Sequence, residues 1–377
     1  MMVLGCDPHK RSITCGAVEA ATGVAHGVRT AAAHADGFDV LVRWARGLGG
    51  ERVWAIEDCR HVSGRLERFL VARGERVVRV APKLMAGTRE GARTRGKSDA
   101  IDALAVARAA VREGVGALPT AWLDERALEL RLLVDHRDDL VATRTRDQAR
   151  LRWHLHDLDP TFHVPSRALD RPIWWRRVQA RLEQEPAGVR VRIALELLEQ
   201  IRGQTASIRA LEAELAGRVH AYAPRLLAER GCGPLTAAKL IGEIAGVERF
   251  ATDAKLARNA GSAPIPASSG NRARHRLDRG GNRQLNCALH RLAVNTGLWD
   301  PDSAAYLARR QADGKTRKEA LRCLKRHLAR RVFKLLQPPT PTPPPTSPTP
   351  LGNRPPVIAT AGRMIHCNRP IGTLELT

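Results

Sequence analysis

Four acidic residues carry the clearest chemistry in this chain. Asp7 closes the apolar run Leu-Gly-Cys-Asp-Pro-His-Lys, Glu57 closes Val-Trp-Ala-Ile-Glu-Asp-Cys, and Asp99 and Asp102 follow in Gly-Lys-Ser-Asp-Ala-Ile-Asp-Ala. Positions i and i+3 of a helix share a face, so the last two carboxylates point the same way. If that face meets the ends of the two strands, all four converge. Like charges so placed repel unless a cation neutralises them, and hard oxygen ligands suit Mg²⁺ or Mn²⁺. Two such ions about 4 Å apart would activate an attacking oxygen and stabilise the leaving one in phosphoryl transfer. Singly, each acid has a plainer reading: a strand-end turn residue, a surface acid, a first helical turn favoured by the dipole. Their combination is what points to metal. Asp58 is expected on the opposite face of its strand from Glu57.

A second constellation lies near the other end. Ser268 and Ser269 stand in a Pro/Gly-rich stretch just before Arg272, Arg274, Arg276, Arg279 and Arg283. A serine hydroxyl attacks only when it is deprotonated and the charge of its electrophile is neutralised, which such arginine density can do for a phosphate. On the residues alone, a plain phosphate-contacting loop is the stronger reading. Upstream, Arg-Gly-Cys-Gly-Pro-Leu-Thr-Ala-Ala-Lys places Gly231 and Gly233 in a Gly-x-Gly turn that opens a helix. It reads equally as a helix-hairpin-helix clamp on a DNA backbone or as a tight helix–helix turn. It is not a dinucleotide fingerprint, because the third glycine and the preceding parallel strand are missing. A basic helical face follows from Arg309 to Arg331, and His154 and His156 read as structural.

These groups need elements to position them. The first 120 residues alternate β-rich and helical runs: strands at 3–6, 12–18 and 24–30, a helix at 37–48, a strand at 52–56, a helix at 62–73 and a strand at 76–80. Three close strands, then helix, strand, helix, strand, is the order of a ribonuclease-H-like α/β domain. A helix from Ser98 to Glu113, with Ser98 as N-cap, completes it. Leucine-rich stretches at 124–158 and 191–220 predict two long helices forming a coiled-coil or dimerisation arm, joined by a connector bearing Pro and Trp. The expected domains are 1–120, 121–222, a mostly helical 223–336, and a disordered tail over 337–377, whose 41 residues hold 11 of the 23 prolines.

The charge balance narrows the partner. Lys plus Arg is 62 against 39 acids, a net charge of +23, and 53 of the 62 cations are Arg. Arg binds phosphate bidentately and stacks on bases, so nucleic acid is favoured over mere GC-rich coding habit. Seven scattered Cys without a Cys-x-x-Cys pair suggest neither a disulfide framework nor structural zinc. With no apolar run long enough for a membrane span and no signal-peptide layout at the start, a cytoplasmic location is expected, at the nucleoid when DNA is bound.

Taken in order, these pieces resemble the IS110/IS116/IS902 family of transposases over residues 1 to 336. The carriers are the acidic quartet with Lys-Ser-Asp-Ala-Ile-Asp-Ala-Leu-Ala, the Gly-Cys-Gly-Pro-Leu-Thr-Ala-Ala turn, and the block Ala-Gly-Ser-Ala-Pro, Ser-Ser-Gly, Gly-Gly-Asn-Arg. The resemblance implies a RuvC-like domain using Mg²⁺ at a DEDD site and a C-terminal serine that links covalently to a DNA phosphate. The family serine precedes a glycine, which maps to Ser269 before Gly270, with Ser268 its rival. It also implies guidance by a structured non-coding RNA and an oligomer, dimer or tetramer, whose composite sites draw carboxylates and serine from different subunits. The alternatives are a RuvC-like structure-specific endonuclease, which needs the quartet but no serine, and a non-catalytic nucleic-acid-binding relic.

Overall fold

The computed structural model describes residues 1–58, 62–82, 84–85, 98–121, 124–267, 275–276, 278 and 280–338. Strand β1 (Met2–Pro8) is buried at every position, which places it in the middle of a sheet with both faces covered. Around it lie β2 (Ser12–Glu19), β3 (Ala25–Ala32), β4 (Arg52–Glu57) and β5 (Val77–Val80), in the spatial order β3-β2-β1-β4-β5. The first three strands run antiparallel in sequence, whereas β4 and β5 run parallel to β1.

Strand alternation divides the core in two. Leu4, Cys6, Trp54 and Ile56 pack on Phe38 and Leu41 of α1 (Ala35–Arg46) and on Leu66 and Leu70 of α2 (Gly64–Val71). Val3, Val53 and Ala55 face Val106, Ala107, Ala109 and Ala110 of α3 (Asp99–Glu113). Helix α3 is small-sided where it meets the sheet, and Gly5 lets it come closer still. A Cβ at Gly5 would lie 2.2 Å from both the Ala103 carbonyl oxygen and the Ala107 nitrogen. Ser98 caps α3 as expected, its hydroxyl accepting from the Ile101 N–H at 3.3 Å.

The two leucine-rich stretches form α4 (Glu125–Leu158) and α6 (Val189–Tyr222), each 34 residues and so about 50 Å long. Arg218 meets Glu129, Arg137 meets Glu212, and Gln204 meets Asp147. As one number rises the other falls, so the pair is antiparallel. The last two of these polar contacts hold its middle and the first lies near one end, and each end joins a separate apolar core. At the far end, Leu151 and Leu155 pack with Ala194 and Leu198 and with Val178 and Leu182 of α5 (Pro172–Glu183). At the near end, Leu130, Val134, Leu215 and Val219 enter the core of the C-terminal region.

That region comprises α7 (Pro224–Leu227), α8 (Pro234–Ile244), α9 (Asp253–Asn259), the short strands β6 (Ile265–Pro266) and β7 (His275–Arg276), α10 (Arg283–Trp299), α11 (Pro301–Ala312) and α12 (Arg317–Leu336). It touches the first domain at the C-terminal end of α3 and beside β4 and β5, where the buried Arg249 feels the charges of Arg79, Glu67 and Asp58. Arg258 pairs with Glu113 at 3.3 Å, and the Lys255 ammonium donates to the Gly116 carbonyl at 2.5 Å. Contacts group Met1–Pro338 into one compact unit. The proline-rich tail expected to be disordered lies, beyond Pro338, outside the described residues. Among the described residues no helix is long and apolar enough to cross a membrane.

Candidate active site

Asp7 is the last residue but one of β1 and is itself only 6 % exposed. It lies two residues beyond Gly5, so alternation points it toward α3. Cys6 pairs with Ile56 across the parallel β1–β4 ladder, which makes Asp7 and Glu57 the next neighbours, one interstrand spacing apart. Glu57 shares its face with Val53 and Ala55 and is half-buried at the strand end. From above, α3 brings Asp99 and Asp102 in its first turn, Asp102 buried and Asp99 exposed. The close Gly5 contact is what brings that turn down onto the strand ends.

The electrostatics bear this proximity out. Burial raises the Asp7 pKa above the usual carboxylate value; His9 pulls it back down, and the charges of Asp102 and Asp99 push it up again. His9 lies between two of the acids, its Nε2 3.2 Å from Asp7 Oδ2 and 3.4 Å from Asp99 Oδ1. One ligand atom from each of Asp7, His9 and Asp99 falls within 4.8 Å of the others. Carboxylate oxygens with one imidazole nitrogen form a donor set suited to a hard or borderline divalent cation. Asp58 instead acts on the Arg79 guanidinium, which is ion-paired with Glu67 of α2.

The C-terminal constellation is described in part. Strands β6 and β7 pair antiparallel, Pro266 opposite His275, and bracket the stretch that contains Ser268 and Ser269. Ser268, Ser269, Arg272, Arg274 and Arg279 lie outside the described residues, whereas Arg276 on β7 and Arg283 at the start of α10 are exposed. The glycines around the hairpin have a structural task. Gly261 (φ +61°) sits so close to Gly281 that a Cβ on the latter would lie 2.2 Å from the Gly261 nitrogen. Asn282 then caps α10 through its Oδ1 and donates from Nδ2 to Glu243 at 2.8 Å. In the Gly-x-Gly turn, Gly231 has φ +79° and presses on α10, where a Cβ would meet the Thr296 nitrogen at 2.8 Å. Gly233 caps α8 with open space beside it.

Comparison with known proteins assigns the same two segments. A transposase family model for the IS110-type DEDD domain matches residues 4–160, and a second, described as Transposase IS116/IS110/IS902 family, matches residues 223–308. The chain belongs to this transposase family. It is 29% identical to the insertion element IS110 uncharacterized 43.6 kDa protein of Streptomyces coelicolor over 286 residues, 64% of this chain and 71% of that protein. To the insertion element IS900 uncharacterized 42 kDa protein of Mycobacterium paratuberculosis it is 27% identical, across 77% of this chain and 84% of that protein. With the insertion element IS116 uncharacterized 44.8 kDa protein of Streptomyces clavuligerus it shares 29% identity, across 78% of this chain and 85% of the other. The transposase thus has DNA as its partner, and its DEDD-type domain points to a divalent metal.

Three residues at the acidic site carried no signal in the sequence reading. His9 is only two positions from Asp7, but its second acid is ninety residues away. Thr14 lies opposite Asp7 in the β1–β2 register and is 2 % exposed, its hydroxyl 2.9 Å from that of Thr30. Gly5 owes its role to a helix that crosses it from far along the chain.

Proposed function

We propose that this transposase is a DNA recombinase in which Asp7, Glu57, Asp99 and Asp102 form one metal site and Ser269 attacks a DNA phosphate. The observation that carries the reading is the meeting of Asp7 and Asp99 around His9 at the end of the central strand. The strand order β3-β2-β1-β4-β5, with the first three antiparallel, supports a ribonuclease-H-like (RuvC-like) domain. Bound Mg²⁺ or Mn²⁺ would supply Lewis-acid stabilisation of charge on the phosphate. The serine Oγ gives up its proton and forms an ester bond to phosphorus, while the bond from phosphorus to the leaving sugar oxygen breaks and that oxygen takes a proton. The phosphodiester is conserved in the protein–DNA link, so a second hydroxyl can reverse the exchange and join a new strand. Arginines beside the hairpin, Arg276 and Arg283 among them, offset charge developing on the phosphate.

The +23 charge is consistent with two polyanions, DNA and a structured guide RNA from the same element. A homo-oligomer with composite sites, dimer or tetramer, belongs to the same reading.

The test is a recombination assay in cells carrying the gene with its flanking non-coding sequence. Ser269→Ala and Asp7→Ala are expected to abolish recombination, and only chains with Ser269 should yield a protein–DNA adduct. Loss with Ser268→Ala but not Ser269→Ala would move the nucleophile to its neighbour. If both serine variants recombine and no adduct forms, the RuvC-like nuclease reading replaces this one. Mixing Asp7→Ala with Ser269→Ala chains should restore partial activity, because a mixed oligomer then retains an intact composite site; no restoration would mean that each site is built within one chain.

A further inference from the structure

A cavity of about 360 Å³ opens beside the base of the serine hairpin, between the turn at Gly261–Pro264, strand β7, and helices α11 and α12. Its walls combine two chemistries. One is aromatic: Tyr306 and His327 meet edge to face with centroids 5.1 Å apart, and the Arg310 guanidinium lies 5.2 Å from the Tyr306 ring centre. The other is cationic. Arg276, Lys315, Arg322 and Lys325 line the cavity, and none of them has a carboxylate ion-pair partner among the described residues. Glu319 is the one acid in the lining, and its carboxylate accepts from the Thr316 N–H and hydroxyl in the cap of α12.

Lys325 is the decisive residue. It is 5 % exposed, and its ammonium donates to Asn286 Oδ1 at 2.8 Å. Burial, aided by Arg322, lowers its pKa, the mark of a cation short of counter-charge. A buried cation whose partner among the described residues is a neutral amide is costly, and an arriving anion relieves that cost. An anion alone would not need the aromatic wall. A flat π-system joined to a phosphate satisfies both, and the volume, near the low end of the about 300–1,000 Å³ usual for ligand pockets, admits one such unit but no duplex. Bases in a duplex are stacked on each other, so only an unpaired or extruded base reaches an aromatic side chain in this way.

We propose that this cavity holds one unpaired nucleotide of a DNA strand, its base against Tyr306 and its phosphate on Lys325 and Arg322. The proposal rests on the reading of the neighbouring hairpin as the strand-transfer site, since His275 and Arg276 belong to both. The cavity would then fix which nucleotide lies next to the attacked phosphate.

The test needs no strand chemistry, so its failure is separable from failure of the serine mechanism. Full-length Ser269→Ala protein, without divalent metal, is photo-crosslinked to a single-stranded DNA oligonucleotide bearing one 5-iododeoxyuridine, and the adducts are mapped by mass spectrometry. The expected adduct is on Tyr306 or His327 with single strand and is absent with the matching duplex. Tyr306→Ala should weaken single-strand binding at least about fivefold, the low end of one base–aromatic stack, with duplex affinity unchanged. Tyr306→Phe should bind as the parent does, and Arg322→Ala, on a partly exposed residue, should weaken binding without relying on the ring. Adducts only elsewhere, unchanged binding by Tyr306→Ala, or inorganic phosphate competing as well as a mononucleotide would overturn the proposal. A matching RNA oligonucleotide crosslinking more strongly at Tyr306 than the DNA would also overturn it, by assigning the cavity to a guide strand.

Discussion

Asp7 and Glu75 are both buried acids of the first domain, and their surroundings drive them in opposite directions. Glu75 accepts from Arg52 Nε at 2.8 Å and from Trp54 Nε1 at 3.0 Å. Burial pushes its pKa up, but these donors outweigh it and the net shift is downward. Among the described residues Asp7 has no such donors beyond His9, and its net shift is upward. One acid is satisfied within the protein; the other is the one proposed to meet a cation from outside. A depressed carboxylate pKa stabilises the fold above the unfolded value and loses that contribution as pH falls through the folded one. Glu75→Gln should therefore cost about 1–3 kcal/mol near neutral pH, with the difference from the parent shrinking as pH falls below about 4. Mn²⁺ is expected to raise the melting temperature of the parent protein, and Asp7→Asn should fold well but lose that rise. Thermal melts of both variants with pH and metal varied check the pair; an undiminished Mn²⁺ effect in Asp7→Asn would remove Asp7 from the metal site.

At the scale of elements, the sheet and its helices were legible because period-two runs and helical runs alternate cleanly over the first 120 residues. The observed elements begin and end within about two residues of those expected, β1 running on to include Asp7 and Pro8. The long helices were legible from their leucine spacing; that polar contacts hold them together was not, since those pairs join residues some sixty to ninety positions apart. The same limit hid Gly5, whose neighbours Ala103 and Ala107 are about a hundred positions away. A bulkier residue there must lift α3 and, with it, Asp99 and Asp102. Gly5→Ala is expected to destabilise the fold by about 1–3 kcal/mol, as overpacking does, and to lower strand transfer by far more than that loss explains. Denaturant melts beside a recombination assay check this; a destabilised chain with full activity would mean that the helix need not sit so close. The proposal of Ser269 rests on the family's Ser-Gly, because nothing in the composition of that stretch separates a nucleophile from a phosphate contact.

For the whole molecule the dominant property is +23 of net charge. Affinity for duplex DNA should fall by about 0.9 log units per log unit of salt for each phosphate neutralised, and a flat salt titration would contradict electrostatic binding. Charge brings a polyanion to the surface but does not say how far along it the protein reaches. The antiparallel pair α4 and α6 does. It sets the small core around Leu151, Ala194 and Val178 apart from the core that Leu130 and Val134 enter by about 30 Å, close to one turn of B-form duplex. DNA lying along the pair would therefore find it a ruler marked in base pairs: contacts made at its tip would fall about nine steps from those made by the body, nearly one full turn on and so close to the same side of a straight helix.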